Sequence, residues 1–338
     1  MILVLGIGLW WIRWNDTLGG YESRMTLGGR SPGTYYDEVQ LFKERGFDRV
    51  VFLGEEGRGI NYTGNGFADA RYLALWIRTH ITSIDYYITI PFSYGSGELR
   101  DNPANGFENS YWRSWIDGVL GVDDDNRLGF YWSYESCLQG TINDPVPKKK
   151  LNLKKEDEIK EYESKYIEFL QEMSDYIHSH GLELIWIPAT GTRDATYLKN
   201  NSGIPTLAGY FDRVFVQLNY YQYNSQYTFN KLVEKIKWIY EESLSIEMEA
   251  DCAVLEGKRG HCAECEYANN EPVYCNNAKC LERACDYISG ILEAYWELFH
   301  RPPLSPETVV NRLFPHRAYY FGTDFKVVDK VRSKCPEW

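Results

Sequence analysis

Short apolar runs recur along the chain, each closed by a polar or Gly-rich stretch. They are residues 2–9, "RVVFLG" (49–54), "DYYITIPF" (85–92), "RLGFYWSYE" (127–135), "LELIWIP" (182–188), "DRVFVQLNY" (212–220), "LSIEMEAD" (244–251) and "RAYYFG" (317–322). Runs of this length bounded by turn residues read as buried strands. Between most of them, apolar positions recur every three or four residues. That spacing predicts helices over 35–45, 68–81, 110–120, 156–180, 228–241 and 280–299. The clearest is 156–180, with the stripe Ile159, Tyr162, Tyr166, Ile167, Leu170, Met173 and Ile177 and a stop at Gly181.

Strands alternating with helices predict a parallel sheet, because parallel neighbours need crossovers. Eight such units fit a closed (β/α)8 TIM barrel, an α/β fold, better than an open doubly wound sheet. The open fold lacks its Gly-rich phosphate fingerprint here: "GIG" stands inside the first apolar run. The expectation is therefore one barrel domain over 1–338. Its surplus length falls in loops after strands three, four, five and seven, and a Cys-rich insertion at 252–285 follows strand seven.

In such a barrel, chemistry sits where the strands end. The seventh strand reads "SIEMEAD", with Glu247, Glu249 and Asp251 alternating with Ile246, Met248 and Ala250. Alternation sends one set to the helices and the acids to the barrel interior. The fourth strand ends on Glu135, with Tyr131 on its inward face. Strands four and seven oppose each other across an eight-stranded barrel. Two carboxylates facing over a sugar-sized gap are the equipment of glycoside hydrolysis, one as proton donor and one ionised. Glu135 is the expected general acid/base and Glu249 the expected nucleophile, with Glu247 as an alternative for that role or a deeper support. Asp251 is a substrate contact or a loop cap. Glu55 and Glu56 in "GEEGRG" are rival acids on what reads as a solvated loop. Gln217, Asn219 and Tyr220 at the end of strand six suit a sugar subsite, as does Trp186 if it faces the mouth.

Composition sharpens this picture. The chain has 27 Tyr, 15 Phe and 11 Trp, and aromatics make up 16% of it. Rings with polar tips suit sugars, which present C–H faces and hydroxyls. The net charge of -12 argues against nucleic acid and against an anionic membrane surface as partners. The N-terminal apolar run is too short to span a bilayer and lacks a basic n-region and cleavage site. A cytoplasmic location is the resulting expectation, and the oligomeric state stays open.

Cysteines cluster late, in "HCAECEYANNEPVYCNNAKC". Cys262, Cys265, Cys275 and Cys280 have spacings that fit a structural zinc, with His261 able to replace one. Disulfides are the equal alternative, and an iron–sulfur cluster a further one. No cofactor is expected for catalysis.

Taken in order, "IPFSYG", "LGFYWSYE", "LIWIPATG", "FDRVFVQLNYY" and "SIEMEAD" resemble an uncharacterised barrel family, domain of unknown function 4855, over roughly 85–251. The two strand ends also resemble the clan of retaining glycosidases with an acid/base Glu after strand four and a nucleophile Glu after strand seven. The resemblance implies a TIM barrel and a glycosidase acting on an oligo- or polysaccharide. That clan has Asn before its acid/base Glu, where this chain has Tyr134. A non-catalytic carbohydrate-binding barrel is the rival from another class. A metal-dependent hydrolase is a third reading, against which the 6 His are scattered.

Overall fold

The computed structural model describes residues 5–223, 227–301 and 304–338. Residues 2–4 of the predicted first strand and 224–226 of the Tyr-rich loop lie outside the described residues. The barrel strands are β1 (Leu5–Asn15), β2 (Phe47–Leu53), β3 (Asp85–Ile90), β4 (Arg127–Trp132), β5 (Glu183–Trp186), β6 (Arg213–Gln217), β7 (Ser245–Glu249) and β8 (His316–Tyr320). Each pairs in parallel with the next, and β8 pairs back to β1, which closes the sheet. The predicted barrel is therefore the observed one. β1 runs six residues past the predicted end at Leu9. Its extension pairs antiparallel with a short strand, Gly20–Ser23, that the sequence pattern did not suggest.

The main helices are α1 (Tyr35–Glu44), α2 (Gly66–His80), α3 (Tyr111–Leu120), α4 (Glu156–Ser179), α5 (Ala195–Asn201), α6 (Phe229–Glu241), α7 (Asn277–Phe299) and α8 (Lys326–Lys334). Local chemistry sets their starts. Thr34 and Asp37 form a capping box on α1, and Ser110 and Thr228 cap α3 and α6. On α4 the stripe is as predicted, except that Phe169 is buried and Ile167 only partly so.

Two apolar layers result. The outer one, between strands and helices, takes Ile246, Met248 and Trp186. The inner one plugs the barrel with Ile7, Val51, Ile185, Phe215 and Ala318. A filled barrel cannot be a pore, so along the axis space for a ligand lies only above the plug.

The Cys-rich segment differs from the zinc expectation. Cys262 bonds to Cys280, and Cys265 to Cys275 across a small hairpin, Cys265–Ala268 with Glu271–Cys275. Cys285 bonds to Cys335, which ties α7 to the end of α8. The four cysteines weighed as zinc ligands are thus paired with one another, which is the disulfide alternative. The insertion ends before α7, so Cys280 and Cys285 belong to the helix and not to the loop. No helix among the described residues is long and apolar enough to cross a membrane.

Candidate active site

Two cavities open at the C-terminal face and share Trp11, Glu135 and Ala189. The axial lobe, about 340 Å³, lies over the barrel plug. The lateral lobe, about 660 Å³, runs out over the loops after β2, β3 and β4. Glu135 stands where the two meet.

Residues 133–136 continue β4 beyond its last paired residue. Ser133 N–H donates to the Ile90 carbonyl, and the Glu135 carbonyl accepts from Ala189 N–H at 2.7 Å. This fixes the Glu135 backbone between β3 and β5. Its side chain accepts from Tyr131 Oη at 3.0 Å and from Gln217 Nε2 at 3.2 Å. Burial, reinforced by the nearby Glu56 charge, pushes its pKa up to about 7.

The three acids of "SIEMEAD" take three separate fates. Glu247 lines the axial lobe and is 2% exposed. Its Oε2 is buried with no hydrogen-bond partner. Burial, with the charges of Glu249 and Glu135 beside it, holds its pKa well above the ordinary carboxylate range. Glu249 lines neither lobe. It is fully enclosed in the wall, where Oε1 accepts from Asn219 N–H at 2.9 Å and Oε2 from the Tyr287 hydroxyl. Burial raises it to about 7, against the pull of those donors and of buried Lys235. Asp251 caps the turn at Cys252–Val254 and accepts from Tyr221 Oη at 2.8 Å and from His261 N–H. It anchors the start of the disulfide loop.

Other expected contacts divide in the same way. Tyr131, Gln217 and Asn219 line the axial lobe with Glu247. Trp186 does not reach the mouth: it packs outward on Phe211 and donates to the Tyr134 carbonyl at 2.8 Å, so it steadies the Glu135 segment from behind. Tyr220 also points away, donating to Asp286 at 2.9 Å beneath Arg283. The register of a strand, unknown from sequence, decides such cases.

Glu56, read from sequence as part of a solvated loop, lines the lateral lobe, and its Oε1 accepts from Glu135 N–H at 3.3 Å. Burial raises its pKa. Glu55 (φ 53°) and Glu56 (φ 56°) are both left-handed, as is Asn219 (φ 57°). Non-glycine residues held there carry strain of about 1 kcal/mol or more each, and such strain gathers at functional sites. Trp11 was missed because the predicted first strand stopped short. Continuing its alternation from Ile7 and Leu9 would have found it. Glu56 follows the same rule that singled out Glu135, an acid just past a strand's C-terminal end.

An amide chain links the buried wall to the mouth. Asn219 Nδ2 contacts Glu249 Oε1 and Gln217 Oε1 at 3.4 Å each, and Gln217 then turns its own Nε2 to Glu135. Lys235, fully buried, donates to Thr190 Oγ1 and to the Gly191 and Leu218 carbonyls, and burial lowers its pKa to about 7. Among the described residues, the one group with metal-ligand spacing is Cys262, Cys265 and Cys280, away from these acids.

No family model matches the chain. It is 27% identical to an uncharacterized protein of Methanocaldococcus jannaschii, over 98% of this chain and 93% of that protein. A β-glucosidase from Thermotoga maritima, solved with castanospermine, has a TM-score of 0.50 at 9% identity, covering 95% of this chain and 88% of that one. The GH18 chitinase ChiB of Flavobacterium johnsoniae has a TM-score of 0.45 at 10% identity, covering 98% and 93%. At 9% identity, what this chain shares with the β-glucosidase is the fold alone.

Proposed function

We propose that the protein is a retaining O-glycosidase in which Glu135 is the general acid/base and Glu247 the nucleophile. The observation that carries this reading is that both carboxyl groups line the axial lobe, whereas Glu249, the nucleophile expected from sequence, has its oxygens occupied inside the wall. A sugar in the axial lobe has its anomeric carbon over Glu247. The leaving sugar extends past Glu135 into the lateral lobe. The Glu247 carboxylate attacks that carbon, the glycosidic C–O bond breaks, and the departing oxygen takes the Glu135 proton. Water then attacks the glycosyl ester, gives its proton to Glu135 and releases Glu247. Burial favours the protonated form of Glu247, and in the reacting state that proton has passed to solvent while Glu135 keeps its own. Positive charge developing on the sugar ring offsets that penalty and favours the carboxylate.

The test is hydrolysis of a broad glycan panel by wild type, Glu135→Gln, Glu247→Ala and Glu249→Ala. We expect Glu247→Ala to lose turnover, and azide to restore it with a glycosyl azide of inverted configuration. Azide rescue of Glu249→Ala with Glu247→Ala still active would return the nucleophile to Glu249. One observation favours a second reading, a non-catalytic carbohydrate-binding barrel: a neutral Glu247 is also what a hydrogen-bonding wall needs. Binding of a glycan by wild type with no cleavage would select it.

A further inference from the structure

The lateral lobe gathers three cations on a strongly acidic protein. The chain carries a net charge of -12, yet Arg58, Lys149 and Lys150 all line this lobe. Among the described residues, none of the three is in a salt bridge. Three acids line the lobe with them, and Glu135, the proposed proton donor, is raised to about 7 by burial. Glu55 is spent on Arg24, and Glu56 is held toward its neutral form by burial. Arg58 and Lys150 both act on the Glu56 carboxyl, and Arg58 acts on Glu135, so their charge is felt at the mouth. Lys150 leans across the lobe from the end of the short helix Pro145–Lys149. A Cβ on Gly97, in the facing hairpin, would stand 3.6 Å from its Nζ. Trp11 lines the same lobe, as do Phe92 and Tyr134, which are buried and stacked on each other with ring centroids 3.9 Å apart. Aromatic faces beside unpaired ammonium groups suit a sugar that bears a negative charge.

We infer that the lateral lobe binds an anionic sugar residue, carrying a carboxylate, sulfate or phosphate ester, on the leaving-group side of Glu135. This rests on the glycosidase reading above for its orientation, but the lobe's charge does not depend on it. Partly exposed ion pairs are weak and screened, so the preference expected from two or three of them is about tenfold.

The experiment compares oligosaccharides that differ only in the leaving-group residue: a neutral hexose, a uronate and a sulfated hexose. We expect kcat/KM to be about tenfold higher for the charged substrates at low salt and the gap to shrink as salt rises. Lys149→Ala/Lys150→Ala should bring the charged-to-neutral ratio close to one, and Lys149→Arg/Lys150→Arg should retain the preference. The uronate and sulfate arms identify which anion fits. Equal or faster cleavage of the neutral substrate overturns the inference and leaves the glycosidase reading intact. If no sugar is cleaved, calorimetric titration with the same three decides. Charged-sugar binding that is lost in Lys149→Ala/Lys150→Ala supports the lobe and sinks the hydrolase, and no such binding overturns the lobe.

Discussion

Glu247 holds a buried carboxyl oxygen with no protein partner, next to two other acids. Its folded pKa lies above the usual 4.5, so the sign of its pH effect is fixed. Stability from the neutral group is fully present below the unfolded pKa and is lost as pH rises through the folded one. Glu247→Gln does not titrate. Its melting temperature should therefore exceed that of wild type by a margin that grows between pH 5 and 8, and a margin constant with pH would refute the buried neutral acid. Gln217 gives a second prediction. Its Nε2 donates to Glu135, which favours the charged form. Removing that donor in Gln217→Ala raises the Glu135 pKa above about 7. If Glu135 acts as the acid, the basic limb of kcat/KM moves to higher pH by roughly half a unit to one unit, the reach of one neutral-donor hydrogen bond. A limb that stays put or moves down would separate Gln217 from the acid.

At the scale of elements, the strand after residue 244 obeys alternation and its last residues show where alternation stops deciding. Ile246 and Met248 face the helices and Glu247 faces the axis, as a period of two requires. Glu249 keeps the same parity, yet its carboxylate turns sideways to the Asn219 amide and to Tyr287 on α7. A strand pattern carries no information about the helix hydroxyl that claims its final side chain. The disulfide elements make a count that can be checked. With three disulfides described, Cys137 and Cys252 are the free cysteines. Alkylation of the unfolded, unreduced protein should label these two alone, whereas a zinc site would leave further thiols to label once the metal is removed. The Cys285–Cys335 bond spans 50 residues and ties α7 to the end of α8. Replacing both with Ser should lower stability by about 2–4 kcal/mol, read as a fall in the denaturant midpoint.

For the whole molecule, closure of the sheet is the decisive event, because the mouth exists only when β4 and β7 stand across from each other. Gly129 guards that closure. A Cβ there would lie 1.9 Å from the Glu183 carbonyl oxygen on β5. Gly129→Ala must part β4 from β5 or bend one of them. It should destabilise the protein by about 3 kcal/mol, the upper part of the usual overpacking range, with loss of any glycan binding in parallel with the fold. A variant of native stability would mean that the wall is looser than its backbone contacts imply.

The eight strands, the order of the helices and the acids at the ends of strands four and seven were legible in the sequence. Each is a local or periodic signal: alternation in "SIEMEAD", the three-and-four stripe of α4, the Thr34 cap. The same signals put Tyr131 on the inward face of strand four and Gln217 at the end of strand six, while their hydrogen bonds to Glu135 belong to the tertiary structure. Tertiary structure alone decided the rest. It chose Glu247 over Glu249 as the acid at the axial lobe, turned Trp186 and Tyr220 away from the mouth, and brought Glu56 onto Glu135 from 79 residues away. It also paired Cys285 with Cys335. These outcomes depend on register, on side-chain competition between distant elements and on where loops fold back, and no periodicity along one strand encodes the position of a partner on another.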